Sequence, residues 1–412
     1  MRVLFVHRAF PSQFGHLAAE LARRYGWTCR FLAESVGHCP PPSAEMLARV
    51  EVRTIPTPAE SRVDRVTPWT QAYGRYVELA QAVAEAARAL PGGAPDLVVG
   101  HLGLGPTLFL RDLWDCPIIN YCEYYFARQR RDLTYRIDLP PAQPAPFYPR
   151  AINASSLSGL LAIDAGYAPT AWQRDSFPGR FRPKIEVHFD GIDTELYRPR
   201  DDVPRQVAGR SIPEGTRVVT YVARGLESMR GFDLFMRVAG RIARERADVL
   251  FVVAGGEGSY YAWDRLHTGS PSFKDWVLSR GDYDPSRFVF LGQVEPERLA
   301  EVLALSDLHF YLTVPFCLSW SLFDAMACGA VVLAADVGPV RELVAHGRNG
   351  LLAPLFDEDV LVETSLRVLD DPAAFADLGR EARRHVEGRY SLDVAIPELA
   401  GFFRRVASLR HV

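Results

Sequence analysis

Lysine is almost missing from this chain of 412 residues. Lys184 and Lys274 are its only two lysines, and arginine supplies the rest of the positive charge. A site for phosphate groups must therefore rely on arginine, which binds anions through a planar fork of N–H donors. The formal net charge of -3 gives no overall attraction for nucleic acid, so a nucleic-acid partner is not predicted.

The six cysteines form neither a redox pair nor a zinc pattern. None of them stands in a C-x-x-C arrangement, and the spacing of Cys116 and Cys122 fits no zinc site. Several lie in apolar runs, where cysteine usually behaves as a small buried hydrophobe. The sequence also lacks G-x-S-x-G, H-E-x-x-H and P-loop motifs and clusters with metal-ligand spacing, so no metal is predicted.

Long apolar runs are missing as well. The N-terminal run Val3–Val6 is too short for the core of a signal peptide. No run approaches the ~18 apolar residues that a membrane-spanning helix needs. We therefore predict a reduced, cytoplasmic chain, either free in solution or in peripheral contact with the inner face of a membrane.

Short apolar runs alternate with longer amphipathic stretches along almost the whole chain. In the first half, the predicted strands include Val3–Val6, Pro95–Gly100, Ile118–Tyr121, Gly159–Ile163 and Lys184–His188. In the second half, they include Arg217–Val222, Asp248–Val253, Phe288–Leu291, Asp307–Leu312 and Ala330–Ala334. Strands interleaved with helices predict βαβ units and mostly parallel sheets, so the predicted fold class is α/β with two Rossmann-like domains.

The length fits two domains at ~100–200 residues each. Residues 191–214 are rich in turn formers and are predicted to be a linker. The N-terminal domain then covers 1–190 and the C-terminal domain 215–390, and a last helix at 391–412 is predicted to pack back on the first domain. Two such domains are expected to face a central cleft, and ligands of open α/β sheets bind at the carboxyl ends of strands.

Two stretches show no clear periodicity. Ser35–Ala48 is predicted to be a loop rich in proline and histidine. Glu123–Arg150 mixes aromatic residues and prolines with the arginines Arg128, Arg130, Arg131 and Arg136. This composition fits a patch that binds an anionic acceptor or a membrane surface, and it equally fits a solvated loop.

Two arginines follow the first strand of the second half. Arg224 stands directly after the predicted strand, and Arg230 precedes Gly231 at the start of a helix. Guanidinium groups combine with the free N–H groups of a helix N-terminus to bind a diphosphate. A surface loop with solvated arginines is the alternative interpretation of the same residues.

Two later strand ends carry further candidates. Gly256 and Glu257 follow the next strand, where a tight turn is a simpler explanation than a ligand contact. A helix is predicted to start near Leu318–Trp320, with Ser319 or Ser321 as its cap. Asp324 lies early in that helix and either accepts hydrogen bonds from a diol such as ribose or only favours the helix dipole.

Polar residues also follow the strands of the first half. His101 stands at the end of one strand, Gln13 follows the first strand, and Glu123 follows a third. Each of them faces the cleft if the parallel order holds. A structural role is the alternative for each.

Several segments together resemble one family, the retaining, nucleotide-sugar-dependent glycosyltransferases of family 4, which have the GT-B fold. The resemblance covers nearly the whole chain and matches a bacterial subgroup. It is carried most clearly by "YVARGLESMRGF", "VHFDGIDTELYRP", "FVVAGGEG" and "SWSLFDAMACGAVVLAADVGPVRELV". It implies a GT-B architecture for the two predicted domains.

The resemblance also implies residue roles on the donor side. Arg224 and Arg230 would contact the donor diphosphate, and Asp324 would bind the donor ribose. Phe316 stands where the first glutamate of the family's E-x7-E motif would hold the donor sugar, so no carboxylate is predicted there. The other implied donor contacts are Gly256, Glu257, Val294, Cys317, Leu318 and Ser319.

The implied reaction moves a sugar from a nucleoside-diphosphate sugar to a hydroxyl acceptor with retention, without a metal or any cofactor besides the co-substrate. His101 and Arg224 would be the catalytic residues. The acceptor side would include Phe10, Gln13, Phe14, Gly15 and Glu123. The acceptor itself is left as a glycan, a lipid-linked compound or a small molecule. An epimerase with the GT-B fold and a non-catalytic nucleotide-sugar-binding homologue are the alternatives.

Overall fold

The computed structural model describes residues 1–37, 41–56, 68–126, 132, 135–139, 148–260, 264–270 and 272–409. The chain divides into two compact units. Unit 1 comprises Met1–Arg128, Pro144–Gly191 and Asp393–Val412, and unit 2 comprises Gln129–Gln143 and Ile192–Leu392. Arg128, Arg130 and Arg131 of the aromatic–basic stretch lie outside the described residues, as does Cys39.

Unit 1 is built on strands and helices that alternate along the chain. Its strands are β1 Arg2–Val6, β2 Ala9–Phe10, β3 Thr28–Ala33, β4 Ser35–Val36, β5 Val50–Thr54, β6 Leu97–His101, β7 Ile118–Tyr121, β8 Ala165–Ala168 and β9 Ile185–Val187. Its first helices are α1 Gly15–Tyr25, α2 Ala44–Arg49, α3 Pro68–Arg88, α4 Tyr148–Ala162 and α5 Ala171–Ser176. Seven strands form one sheet in the order β5-β3-β1-β6-β7-β8-β9, and all neighbours in it are parallel.

Unit 2 repeats this alternation. Its strands are β10 Gln206–Val207, β11 Arg210–Ser211, β12 Arg217–Gly225, β13 Val249–Gly256, β14 Phe288–Gly292, β15 Leu308–Tyr311, β16 Val332–Ala335 and β17 Leu351–Ala353. Its helices are α6 Phe232–Glu245, α7 Asp264–Thr268, α8 Phe273–Leu278, α9 Pro296–Ala304, α10 Trp320–Ala327, α11 Gly338–Leu343, α12 Glu358–Asp370 and α13 Pro372–Tyr390. The main sheet has the all-parallel order β14-β13-β12-β15-β16-β17.

The central strands are apolar because both faces of a parallel sheet are covered. Every residue of β6, β7 and β15 is buried, and most of these residues are apolar. The predicted α/β class with two Rossmann-like, parallel-sheet units is confirmed.

The last helix, α14, covers Leu392–Ala407 and belongs to unit 1 from Asp393 onward. Phe402 and Phe403 on this helix are fully buried, and both rings lie 6.1 Å from the ring of Tyr167 on β8. Arg405 also forms an ion pair with Glu186 on β9 at 2.7 Å. The helix therefore completes the core of unit 1.

Four stretches differ from the expectation drawn from the sequence. Gly159–Ile163 is not a strand, because most of it forms the end of α4, and a short apolar run does not separate the two states. Ser35–Ala48 contains β4 and the start of α2, where the Ser43 hydroxyl accepts the Met46 N–H at 3.1 Å. Within the predicted linker, β10 and β11 form an antiparallel ribbon. The segment 129–143 belongs to unit 2, although it lies inside the predicted first domain.

Within the described part of the chain, no helix is both long and apolar enough to span a membrane.

Candidate functional site

The loop after β12 approaches the end of β15 closely in unit 2. A short 3-10 turn, Ser228–Arg230, follows β12, and Gly231 then caps α6 with a φ of 74°. A Cβ atom on Gly231 would lie 2.3 Å from the carbonyl oxygen of Leu312. Glycine is therefore required twice, for the left-handed backbone and for the close approach. The N-terminus of α6 lies at the carboxyl edge of the sheet.

Both predicted clamp arginines lie beside this loop. Arg224 is exposed and lies inside β12, which continues to Gly225 instead of ending at Ala223. Its guanidinium lies 4.3 Å from the ring centroid of Tyr260. Arg230 is only 7% exposed, and its Nη1 donates a hydrogen bond to the carbonyl of Cys317 at 3.3 Å. The two side chains thus contact the loops that follow β13 and β15.

Two buried carboxylates connect the loop after β12 to the loop after β13. Glu227 accepts a hydrogen bond from the N–H of Tyr260 at 2.7 Å. Asp264 accepts one from the N–H of Ser228 at 3.0 Å. Burial raises the pKa of Asp264, and the hydrogen bonds from Ser228 oppose that rise. Sequence reasoning missed this network, because its partners lie more than 30 residues apart.

The remaining predicted donor residues, which follow β13 and β14, have different neighbours. Gly256 is half-buried, and a Cβ atom there would lie 3.1 Å from the side-chain amide nitrogen of Gln293. Val294 is half-buried in the short connection between β14 and α9. Glu257 forms an ion pair with Lys274. Gly256 and Val294 therefore lie near one another through Gln293, whereas the Glu257 carboxylate is engaged elsewhere.

The start of α10 is held in place by Tyr311. Ser319, one of the two serines proposed as the cap, is the N-cap residue, and its hydroxyl accepts the N–H of Ser321 at 3.4 Å. The N–H of Ser319 donates to the hydroxyl of Tyr311 at 2.9 Å. The hydroxyl of Ser321 donates to the carbonyl of Val222 at 3.2 Å, which joins α10 to β12. Sequence reasoning did not single out Tyr311, and no local pattern marks it.

Phe316 and its neighbours fill the space beside Arg230. The Phe316 side chain is 1% exposed, and its ring centroid lies 5.9 Å from the Arg230 guanidinium. Cys317 is buried and Leu318 is half-buried. The position that carries a glutamate in the family motif therefore holds a buried aromatic ring beside a guanidinium.

Asp324 lies in the second turn of α10 and is 7% exposed. Burial raises its pKa well above the usual range of a carboxyl group. Among the described residues, no donor forms a hydrogen bond with this carboxylate. A buried acid of this kind is costly to ionise unless a ligand supplies donors.

In unit 1, His101 ends β6 and is 2% exposed. Its Nδ1 lies 2.8 Å from the carbonyl oxygen of Leu102, which places the proton on Nδ1. Its Nε2 lies 3.6 Å from the carboxylate of Glu123. Burial lowers the pKa of His101 although Glu123 opposes this, so the ring is neutral at neutral pH. The structure thus brings together two residues that the sequence predicted separately.

The loop from Phe10 to Gly15 gathers around Asp190. Gln13 donates a hydrogen bond from its side-chain amide to the Asp190 carboxylate at 2.5 Å. The Tyr121 hydroxyl donates to the same carboxylate oxygen at 3.3 Å. Phe10 and Phe14 are fully buried, so their side chains pack into the core of unit 1 under this loop. Asp190 thus accepts hydrogen bonds from both side chains, and sequence reasoning did not single it out.

Gly15 is needed at the start of α1, because a Cβ atom there would lie 2.2 Å from the Cβ atom of Pro11. No group of three or more His, Cys, Asp and Glu residues in the described ranges is placed to hold a metal ion.

Two family models match the chain in succession. The model described as "Glycosyl transferase family 4 group" matches residues 33–197. The model described as "Glycosyl transferases group 1" matches residues 202–385. The chain belongs to glycosyltransferase family 4. The two matches leave short stretches of this glycosyltransferase uncovered, at its start, between the models and at its end.

Curated relatives of this family 4 glycosyltransferase carry the name D-inositol 3-phosphate glycosyltransferase. The protein from Gordonia bronchialis is 25% identical over 398 residues, which cover 94% of this chain and 82% of that protein. The protein from Rhodococcus opacus is 29% identical over 312 residues, which cover 74% of this chain and 66% of that protein.

Solved structures share the fold of this glycosyltransferase. Sucrose-phosphate synthase from Thermosynechococcus elongatus has a TM-score of 0.71 at 16% identity, with 98% of both chains covered. HepE from Anabaena, in complex with UDP-glucose, has a TM-score of 0.69 at 15% identity, with 98% of this chain and 100% of that chain covered. The predicted GT-B class is confirmed.

Proposed function

We propose that this glycosyltransferase moves a sugar from a nucleoside-diphosphate sugar to a hydroxyl acceptor, with retention of configuration and without a metal ion. The observation that carries the proposal is the grouping of Arg224 and Arg230 with the N-terminus of α6 at the carboxyl edge of the sheet in unit 2. The Anabaena neighbour binds UDP-glucose, which supports a nucleotide-sugar donor for this chain as well.

The donor diphosphate is assigned to the two arginines and to the first N–H groups of α6. Negative charge builds up on the diphosphate as its bond to the sugar breaks, and fixed positive groups stabilise that charge. Arg224 is exposed and available to a ligand, while buried Arg230 is held against the Cys317 carbonyl. Both guanidinium groups supply positive charge to the diphosphate. They take the place that a metal ion has in other transferases.

The ribose is assigned to Asp324. Its carboxylate lacks donors among the described residues, and the two ribose hydroxyls supply two. The donor sugar is not assigned to a carboxylate at position 316, because Phe316 is apolar and buried. The backbone N–H of Leu318 is assigned to the sugar instead, because the N–H of Ser319 donates to Tyr311.

His101 is assigned to the sugar and not to nucleophilic attack. The neutral ring holds its proton on Nδ1, so Nε2 offers a lone pair to a sugar hydroxyl. The acceptor hydroxyl then attacks from the face that the diphosphate leaves, which gives retention. Gln13 and Glu123 are assigned to the acceptor. The name of the curated relatives makes a cyclitol hydroxyl the first acceptor to test.

A thermal-shift panel of nucleoside diphosphates and their sugars tests the donor. A ligand at 100 times its dissociation constant stabilises the protein by about 2.7 kcal/mol, so the true donor stands out clearly. Each stabilising donor is then incubated with an acceptor panel, with and without EDTA, and the product anomer is assigned by NMR. We expect a retained anomer and no effect of EDTA. Isomerised donor in the absence of acceptor would instead favour an epimerase, and binding without any turnover a non-catalytic homologue.

Arg224→Ala gives the sharpest test of the diphosphate assignment. Loss of a group that stabilises the leaving charge costs about two to three orders of magnitude in kcat. Arg280→Ala is the matched control, because Arg280 also stacks on an aromatic ring of unit 2, 4.4 Å from the Trp276 centroid. The control is expected to keep full activity. Equal activity in both variants would remove Arg224 from the mechanism.

A further inference from the structure

Arg136 is a buried arginine of unit 2 that the proposed function leaves unused. It comes from the connection between β7 and α4, and the described stretch around it, 135–139, belongs to unit 2. Its side chain is only 3% exposed. Buried guanidinium groups are costly unless every face finds a partner. Arg136 therefore does not lie in a solvated loop, which was one of the two expectations from the sequence.

Two carboxylates and one carbonyl surround this guanidinium. Nη1 and Nη2 donate to the two carboxylate oxygens of Asp233 at 2.9 and 2.7 Å. Nε and Nη2 donate to Asp138 at 2.9 and 2.6 Å. Nη1 also donates to the carbonyl oxygen of Ser228 at 2.8 Å. Such paired, charge-assisted contacts fix direction as well as distance.

The contacts of Arg136 lie on both sides of the turn that carries Arg230. Ser228 opens the 3-10 turn Ser228–Arg230, and Asp233 lies in the first turn of α6. Gly231, between them, has no side chain to hold it. One guanidinium therefore ties the beginning of the turn to the beginning of the helix.

Charge gives a second reason for this arrangement. The Asp233 carboxylate lies next to the helix N-terminus that is assigned to the donor diphosphate, and two negative groups repel each other there. Arg136 neutralises Asp233, and Arg237 adds a second contact at 3.0 Å. Without Arg136, a buried carboxylate would face the anion with only one partly exposed arginine to offset it.

We propose that Arg136 is a positioning residue for the donor diphosphate, which fixes the turn Ser228–Arg230 and neutralises Asp233. The inference rests on the proposed function, since it needs the diphosphate at the N-terminus of α6. It adds a residue from the first half of the chain to the donor machinery of unit 2.

Arg246 provides a matched control at the opposite end of the same helix. It follows the last residue of α6 and donates to both carboxylate oxygens of Asp248, at 3.0 and 2.7 Å. Arg136→Gln and Arg246→Gln thus each remove a guanidinium–carboxylate fork at one end of α6. Arg136→Lys keeps the charge and loses the fork, and it serves if the glutamine variant does not fold.

The experiment measures binding of UDP, GDP and ADP by calorimetry, together with hydrogen exchange of the peptide 226–235 in the ligand-free protein. We expect Arg136→Gln to weaken the best diphosphate at least tenfold, Arg136→Lys to weaken it less, and Arg246→Gln to leave it unchanged. Exchange in 226–235 should rise only in the Arg136 variants. In turnover assays, KM for the donor should rise while KM for the acceptor stays constant.

The outcomes separate the two proposals. If the natural chain binds a diphosphate and both Arg136 variants bind it equally well, the inference is wrong and the proposed function stands. The inference is also wrong if Arg246→Gln weakens binding as much as Arg136→Gln, since the role is then only structural. If the natural chain binds none of the nucleotides or their sugars, the proposed function fails and the inference fails with it.

Discussion

At the scale of single residues, the proposed donor site of unit 2 combines groups that are costly in the free protein. Asp324 is a buried acid that accepts no hydrogen bond from a described residue, and Arg230 is a buried guanidinium. Such groups lower the stability of the free protein, and active sites often retain them because the function needs them. Substitutions at these positions should therefore move stability and ligand binding in opposite directions.

Asp324→Asn is expected to stabilise the free protein and to weaken donor binding. The folded-state pKa of Asp324 is raised, so the folded state binds more protons than the unfolded state above the ordinary carboxyl range. The free energy of unfolding therefore falls as the pH rises from that range to the raised pKa. The asparagine of the Asp324→Asn variant does not titrate, so this fall is absent in the variant. A gain of about 1 kcal/mol in the free energy of unfolding would raise Tm by about 2–4 °C at pH 7.

Thermal melts at pH 4 and pH 7, with calorimetry of the best diphosphate, measure both effects. The gain in Tm should be smaller at pH 4 than at pH 7. Asp377→Asn, on an exposed carboxylate of α13, should change neither quantity. A lower Tm for Asp324→Asn at pH 7 would contradict the unsatisfied-acid interpretation.

Phe316→Glu is expected to weaken donor binding and not to restore a lost contact. The side chain is 1% exposed and its ring lies 5.9 Å from the Arg230 guanidinium, so a carboxylate there would capture that arginine. Arg230 would then be less available to the diphosphate. Calorimetry with the donor and with the free diphosphate measures the change. Tighter binding of the sugar-bearing donor alone would mean that this chain has simply lost the sugar contact.

At the scale of elements, the site depends on how closely the loops after β12 and β15 approach. Gly231 allows the approach, and Tyr311 holds the start of α10 through the N–H of Ser319. The first feature joins the ends of two neighbouring strands, and the second joins β15 to the helix that follows it. The site is therefore built by the order of the strands rather than by one motif.

Gly231→Ala tests this close approach. The new Cβ atom would lie 2.3 Å from the Leu312 carbonyl, so the loop has to move. Gly347→Ala is the matched control, because Gly347 has the same φ of 74° and no atom within 4 Å of the added Cβ. We expect both variants to lose about 1–2 kcal/mol from backbone strain. Only Gly231→Ala should also weaken diphosphate binding tenfold or more, and equal binding in the two variants would contradict the argument.

The elements also explain what the sequence can predict. The strands Leu97–His101 and Ile118–Tyr121 were predictable, because a strand covered on both faces reads as an apolar run. The end of α4 was not, because the same kind of run also ends a helix. The N-cap Ser319 was predictable from local chemistry, while its partner Tyr311 was not, because that contact exists only in the folded chain. Asp190 was missed for the same reason, as it lies 177 residues from Gln13.

At the scale of the whole molecule, the chain does not build its two units from two continuous halves. Unit 1 takes its last helix from the end of the chain, and unit 2 takes 129–143 from the first half. The sequence predicted the returning helix from its position. It could not predict that 129–143 belongs to unit 2, where Arg136 contacts residues more than 90 positions away along the chain.

Removal of residues after Leu392 is expected to unfold unit 1. Phe402 and Phe403 are fully buried against Tyr167, and loss of two such side chains exposes a large apolar surface. Circular dichroism melts and limited proteolysis measure the result. Removal of only 408–412, which starts after the last residue of α14, should leave the melt unchanged. A native-like melt for the longer truncation would show that α14 is dispensable.

The contact between Arg224 and Tyr260 has a consequence for the entropic cost of ligand binding. A free arginine side chain samples many rotamers, and fixing it on a ligand costs about 0.5–1.5 kcal/mol. Here the guanidinium already lies 4.3 Å from an aromatic face before any ligand arrives, and Tyr260 is itself anchored through its N–H to buried Glu227. Much of the rotamer entropy is therefore already lost in the empty protein. The Arg224 guanidinium is preorganised by the aromatic ring of Tyr260. This ring does not neutralise the guanidinium, so the full positive charge is available to an anionic ligand.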